Sequence, residues 1–369
     1  MNIAIVIDSL ITGGAERQAV MTAAELGRYG HKVHLISYRP GNDFLDFVRE
    51  SGIHWVYIRS DGLFHAWRMR DLVRHFRGQR FDVVHGFGGY ATICSSIAAR
   101  LARVPAVFGG YRVEYRIRGL TNRAHRLVDR LVDGWIVNSE AIADSMAGAL
   151  NIDRSRFIVV GNVVNCEAFR SSLSRLEARR RLGLETNGGT VSIIAGLRPQ
   201  KNHALFVRMA ELLLKERRKT NFLIVGDGEL RPSLEAQIRT LGIADRIMLL
   251  GKRPDIPDIL AATDVSVLTS HREGIPNALL ESMAAGIPVV TTDYSGAREL
   301  VTDGQDGCIV PPGDAAALAQ AVGRLLDDAS LRATMGQQGR KTVETRFSGR
   351  GVSTALVLAY QRVLETSRR

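Results

Sequence analysis

The sequence predicts an α/β chain of two domains, each a largely parallel sheet wound with helices. Three observations carry this expectation. Short β-branched runs alternate with helical stretches from one end to the other, as in sheets built from strand–helix–strand crossovers. Several of these runs are apolar without alternation, as strands covered on both faces are. The chain has 369 residues, more than one ordinary sheet absorbs, so two domains of about 150–200 residues each are expected.

In chain order, the first half offers strands at 3–7, 32–37, 56–58, 83–85, 106–108 and 135–137. The second half offers 191–195, 222–225, 247–250, 265–269 and 289–291, each followed by turn residues and then a helical stretch. A basic helix-like segment and a polar turn cluster span 171–189, and the hinge is placed near 161–166. The domains are therefore drawn at 1–165 and 166–351. Helices are expected at 315–326 and 331–345, and 352–364 carries apolar residues at helical spacing.

Composition narrows the class. Hydrophobic residues make up 45% and charged residues 24%, the balance of a soluble globular protein. No apolar run approaches the roughly 20 residues that span a bilayer, and residues 1–8 reach Asp8 too early for a secretory signal. Cys94, Cys166 and Cys308 lack the paired spacing of a metal knuckle or disulfide framework, so a reducing cytoplasm is the expected location. The net charge is +11 and is unevenly placed. Arg103, Arg112, Arg116, Arg118, Arg123, Arg126 and Arg130 face only Glu114 and Asp129, while Arg59, Arg68, Arg70, Arg74, Arg77 and Arg80 face Asp61 and Asp71. Either stretch suits a solvated helix face, an acidic acceptor or an anionic membrane surface on which the protein sits peripherally. Neither carries a helix-turn-helix, a zinc finger or an aromatic platform, so nucleic acid is not an expected partner.

The most informative local feature runs from Ser270 to Gly286, directly after a strand. Pro276 suits the first turn of a helix and Gly286 its stop, which puts Glu273 in the preceding loop and Glu281 inside the helix. A helix amino terminus suits a phosphate, and a loop carboxylate beside it can accept hydrogen bonds from sugar hydroxyls. A second feature, 196–202, places Arg198 and Lys201 at the carboxyl end of a strand, where parallel sheets bind ligands. Taken alone, an Arg and a Lys in a loop are ordinary surface charges. Gly226 and Gly228 allow a tight turn or close approach of backbone to a ligand. Gly13 and Gly14, after the first strand, suit either an anion or a sharp strand-to-helix turn. No phosphate-binding Gly-x4-Gly-Lys loop, no Gly-x-Gly-x-x-Gly and no Asp-x-Asp pair is present, and the nine histidines lack ligand spacing, so neither a metal nor another cofactor is expected.

Together, segments 13–17, 81–85, 196–202, 225–228, 273–281 and 285–290 resemble the family-four retaining glycosyltransferases of the GT-B fold, and the resemblance runs through nearly the whole chain. It implies two Rossmann-like domains with parallel sheets facing across a cleft, the last helix from about Val352 to 369 crossing back to the first domain. It also implies that Arg198 and Lys201 bind the donor diphosphate. Glu273 with Gly274, Ile275, Pro276 and Asn277 would hold the donor sugar, Glu281 the ribose hydroxyls, and Arg253 would lie near the base. Gly196 and Gly226 would approach the donor, with Gly13 and Gly14 meeting its phosphates from the other domain. Many relatives place a histidine after the strand at 106–108; here Arg112 occupies or neighbours that place. An arginine is no general base at neutral pH, but it can stabilise developing phosphate charge.

The activity so implied is transfer of a sugar, with retained configuration, from a UDP- or GDP-sugar to an acceptor hydroxyl. The acceptor suggested is a lipid-linked oligosaccharide or cell-envelope polysaccharide. A nucleotide-sugar epimerase, a phosphorylase and a non-catalytic nucleotide-sugar-binding module are the alternatives on a similar fold.

Overall fold

The computed structural model describes residues 1–11, 13–39, 41, 43–58, 65–112 and 120–367, with backbone alone at 65–68, 120–124 and 367. Of the two basic stretches, Arg59, Asp61, Glu114, Arg116 and Arg118 lie outside the described residues, as do the side chains of Arg68 and Arg123. The chain forms two compact units, Met1–Val163 with Gly349–Arg369, and Val164–Ser348. The boundary expected after residue 165 thus falls after Val163, and the return expected at Val352 begins at Gly349.

The first unit holds β1 (Asn2–Ile7), β2 (Lys32–Ser37), β3 (His54–Tyr57), β4 (Val83–Gly86), β5 (Ala106–Tyr111), β6 (Gly134–Val137) and β7 (Phe157–Val159). They pair in parallel in the order β3-β2-β1-β4-β5-β6-β7. The absence of alternation in β1 has a direct cause. Ala4 and Val6 enter one hydrophobic core while Ile3, Ile5 and Ile7 enter the other, so both faces are covered by helices. The terminal helix Gly349–Ser367 belongs to this unit because Val352, Leu356, Tyr360 and Leu364 recur every fourth residue and join the second of these cores. Each such burial contributes about 1.5–3 kcal/mol.

The second unit holds β8 (Thr190–Ile194), β9 (Asn221–Val225), β10 (Ile247–Gly251), β11 (Val265–Leu268), β12 (Val289–Thr292) and β13 (Cys308–Val310). Its parallel order is β10-β9-β8-β11-β12-β13. Phe222 and Ile224 of β9 face one core, Leu223 and Val225 another.

β7 and β13 were not expected from the sequence. Each has three residues and pairs with one neighbour at a sheet edge, which is too short for a periodic signal. Strand order reverses between β1 and β4 in the first sheet and between β8 and β11 in the second, and ligands of open parallel sheets bind outside the strand ends at such a point. Among the described residues no helix is long and apolar enough to cross a membrane.

Candidate functional site

In the second unit the loops after β8 and β11 meet at the reversal point. After β8, Arg198 begins a single 3-10 turn, Pro199–Lys201, and Asn202 in the left-handed region (φ 48°) starts the helix His203–Glu216. After β11, the Thr269 hydroxyl donates to the Lys201 and Asn202 carbonyls at 2.8 and 2.9 Å, and the His271 amide donates to the Gln200 carbonyl at 2.9 Å. These bonds bring Lys201 onto Glu273. The ammonium pairs with Oε1 of Glu273, and the Ser270 hydroxyl donates to the same oxygen at 2.9 Å. The Glu273 side chain is only 9% exposed and that of Lys201 19%, so solvent screens this pair weakly.

The turn after β12 supports Glu273 from beneath. The Thr292 hydroxyl donates to the Ser270 carbonyl at 2.7 Å, and the Ser295 hydroxyl to the Glu273 carbonyl at 3.3 Å. Gly296 packs so closely on the Gly274 carbonyl that a Cβ there would collide with it. The buried Tyr294 phenol has its pKa raised well above the usual value, first by burial and then by the Glu273 carboxylate. Thr269, Tyr294, Ser295 and Gly296 were not singled out from the sequence. Their one signal was position: all lie just past the ends of β11 and β12.

Gly274, Ile275 and Pro276 are buried. Pro276 is the cap (ψ 127°) and not the first helical residue, so the helix runs Asn277–Ala284, without a side-chain capping bond, and Gly286 at φ 75° ends it. Its Leu279, Leu280 and Met283 fill the core beneath. Glu281, one turn in, is 5% exposed and therefore no surface acid.

The remaining donor-side candidates stand differently. Arg198 is exposed and has no ion-pair partner among the described residues. Gly196 has room: an added Cβ would meet nothing nearer than the Asp227 carbonyl at 3.7 Å. Gly226 does not. At φ 138° its Cβ would strike the Ala195 carbonyl, so what this glycine admits is the chain's own backbone, tied by the Leu197 amide to the Asp227 carbonyl at 3.1 Å. Arg253 is not gathered with Lys201 and Glu273. It follows β10, two strands from β8, and grips Asp255 through two bonds of 2.7 and 2.5 Å, the fork geometry of a guanidinium on a carboxylate.

In the first unit Gly13 caps the helix Gly14–Arg28 in extended backbone (φ −158°), and the Glu16 carboxylate lies directly over it. An anion at this terminus would meet that carboxylate first. Arg112, just past β5, is buried. Nη1 donates to the Val160 carbonyl at 3.1 Å and to Asn162 Oδ1 at 3.5 Å, with the guanidinium carbon 4.9 Å from the centre of the Phe87 ring. Burial lowers its pKa to about 10, which leaves it charged at neutral pH.

The family described as Glycosyltransferase Family 4 matches residues 12–168, and that described as Glycosyl transferases group 1 matches 174–342. The Escherichia coli UDP-Gal:alpha-D-GlcNAc-diphosphoundecaprenol alpha-1,3-galactosyltransferase is 30% identical over 70% of this chain and 70% of its own. The Staphylococcus aureus capsular polysaccharide biosynthesis glycosyltransferase CapM is 26% identical over 76% of each. The solved structure of Anabaena Alr3699/HepE in complex with UDP superposes with a TM-score of 0.87 at 22% identity, covering 98% of this chain and all of that one. The parallel sheets accord with these likenesses: the chain belongs to the group 1 glycosyl transferases and is a glycosyltransferase of the GT-B fold.

Proposed function

We propose that this enzyme moves a sugar, with retention and without a metal or other cofactor, from a UDP- or GDP-sugar to a hydroxyl of a lipid-linked oligosaccharide or cell-envelope polysaccharide. The observation that carries the reading is the partly buried Lys201–Glu273 pair at the point where the strand order reverses. A cation and a carboxylate fixed side by side suit a donor with a diphosphate at one end and hydroxyls at the other. Lys201 and exposed Arg198 neutralise the diphosphate, Glu273 accepts from sugar hydroxyls, and Gly196 and the 274–277 backbone give close approach, with Glu281 and Arg253 taking the nucleoside.

In the reaction the bond from the anomeric carbon to the diphosphate oxygen breaks and the bond to the acceptor oxygen forms on the same face. The acceptor proton passes to the departing phosphate oxygen, whose charge the two cations stabilise. Support for the donor comes from neighbours solved with UDP and with UDP-glucose, and for the acceptor from relatives named for diphosphoundecaprenol and capsular polysaccharide. Arg70 and Arg74 are exposed and share the single carboxylate of Asp71, an excess of positive charge that favours contact with an anionic membrane from the inner face.

The test is a screen of nucleotide sugars against acceptors with and without EDTA, the product anomer being read by NMR. Turnover that survives chelation and keeps the donor's anomeric configuration is expected. Inversion, metal dependence, or donor binding without transfer to any acceptor would overturn the corresponding part.

A further inference from the structure

We propose that Arg112 is the cation of a second oxyanion site, built wholly within the first unit and suited to a phosphate oxygen. Its construction begins in β5, where Gly109 and Gly110 stand between bulky neighbours. A Cβ on Gly110 would lie 2.7 Å from the Gly86 carbonyl and 3.1 Å from His85 Nε2, and one on Gly109 would lie 2.5 Å from the Trp135 ring. Gly110 lets β5 close on β4 and Gly109 admits the Trp135 ring of β6, which brings Arg112 against His85 and Phe87.

There the guanidinium is 6% exposed and no carboxylate among the described residues pairs with it. Its bonds go to a carbonyl and an amide oxygen, and its Nε is buried with no partner. His85 cannot supply a negative charge: its Nδ1 meets the Tyr360 hydroxyl at 2.8 Å, and it is neutral, its pKa held well below the usual value by burial first and by Arg112 second. The Tyr360 phenol is likewise neutral, because burial raises its pKa. Burying a guanidinium is unfavourable unless an anion answers it. The neighbouring segment is fixed to meet one: Gln18 clamps Val163 through bonds of 3.1 and 2.7 Å, so Val160 and Asn162 present Arg112 on a rigid support.

A phosphate of the acceptor carries the required oxygen, and only that assignment rests on the glycosyl-transfer reading above.

The experiment uses the full chain with arginine labelled for side-chain NMR, the Arg112 Nε–H signal being assigned by its loss in Arg112→Lys. Inorganic phosphate is titrated into the wild type and into Arg198→Ala,Lys201→Ala, and UDP into both. A saturable shift of the Arg112 signal with phosphate in both proteins is expected and assigns the site to an acceptor phosphate. A shift with UDP that vanishes in the double variant, without a shift from phosphate alone, overturns a site built within the first unit. A signal unmoved by phosphate and by UDP in either protein overturns the proposal, whereas absence of turnover with a still-responsive Arg112 overturns only the transfer reading. As a second readout, Arg112→Lys is expected to weaken phosphate binding about tenfold while leaving the other arginine signals in place.

Discussion

The two units each hold a cation past the end of a strand, partly buried in the second and buried in the first, and they answer its charge in opposite ways. In the second unit Lys201 meets the Glu273 carboxylate directly, with Ser270 sharing the same oxygen. In the first, Arg112 meets a carbonyl, an amide and an aromatic face. The contrast shows which interaction each unit has already satisfied. A paired site carries a cation and an acceptor of hydrogen bonds ready to be shared with a polar ligand. An unpaired one retains an electrostatic demand on whatever binds beside it.

The largest expected effect tests the paired side. Lys201→Met should lower kcat about 10²- to 10³-fold, and it should also lower unfolding free energy by about 3 kcal/mol, because Glu273 is left buried with only Ser270 to serve it. Adding Glu273→Gln should restore much of the stability and none of the activity, a non-additivity read from urea melts and initial rates. Arg112→Met strands no carboxylate, so its stability loss should stay within about 1–3 kcal/mol, the range of lost hydrogen bonds. Equal losses at the two positions, or additive Lys201 and Glu273 effects, would erase the distinction.

Much of the site in the second unit was legible because it follows two strands rich in β-branched residues. β8 and β11 each announce where their loops begin, and Arg198, Lys201 and Glu273 sit in those loops. The contact between Lys201 and Glu273 was not legible, since it depends on β8 and β11 being neighbours at the reversal, a property of strand order and not of either segment. Arg112 shows the converse failure. Counted among seven arginines it reads as part of a basic surface stretch, although the two glycines of β5 were the sign that the strand before it packs tightly. Gly226 was legible as a close approach, but the sequence did not say that the approaching partner is the Ala195 backbone.

Acid should weaken both units through buried imidazoles, among them His34 in the first and His203 in the second. The pKa of His34 in β2 is lowered to about 4, by burial first and then by His54, Lys32 and His75; that of His203, at the start of the helix after Lys201, is also lowered to about 4, mainly by burial. In both cases the unfolded chain takes up its proton near pH 6.5 and the folded chain only near 4, so stability is full above the first value and is lost as pH falls between them. At about 1.4 kcal/mol per unit, each histidine accounts for roughly 3 kcal/mol by the end of that window. Urea midpoints of wild type, His34→Gln and His203→Gln at pH 7 and pH 4.5 check this: each variant should lose less on acidification than wild type. A variant that loses as much as wild type would remove its histidine from the account.

The smallest effects should come from two glycines that set the backbone under each cation. Gly296→Ala places a methyl group against the Gly274 carbonyl, and Gly110→Ala places one 2.7 Å from the Gly86 carbonyl. Backbone cannot yield as a side-chain tip does, so each should cost about 1–3 kcal/mol as the chain shifts. The functional consequences should separate. Displacing Gly274 moves the loop that carries Glu273, so Gly296→Ala should raise the KM for the sugar donor and leave the Arg112 Nε–H signal in place. Displacing β5 moves Arg112 and leaves the donor loop in the other unit intact, so Gly110→Ala should shift that signal at unchanged donor KM. If both variants raise donor KM alike, the two cations do not act on separate features of the ligands, and the contrast between a paired and an unpaired site loses its functional meaning.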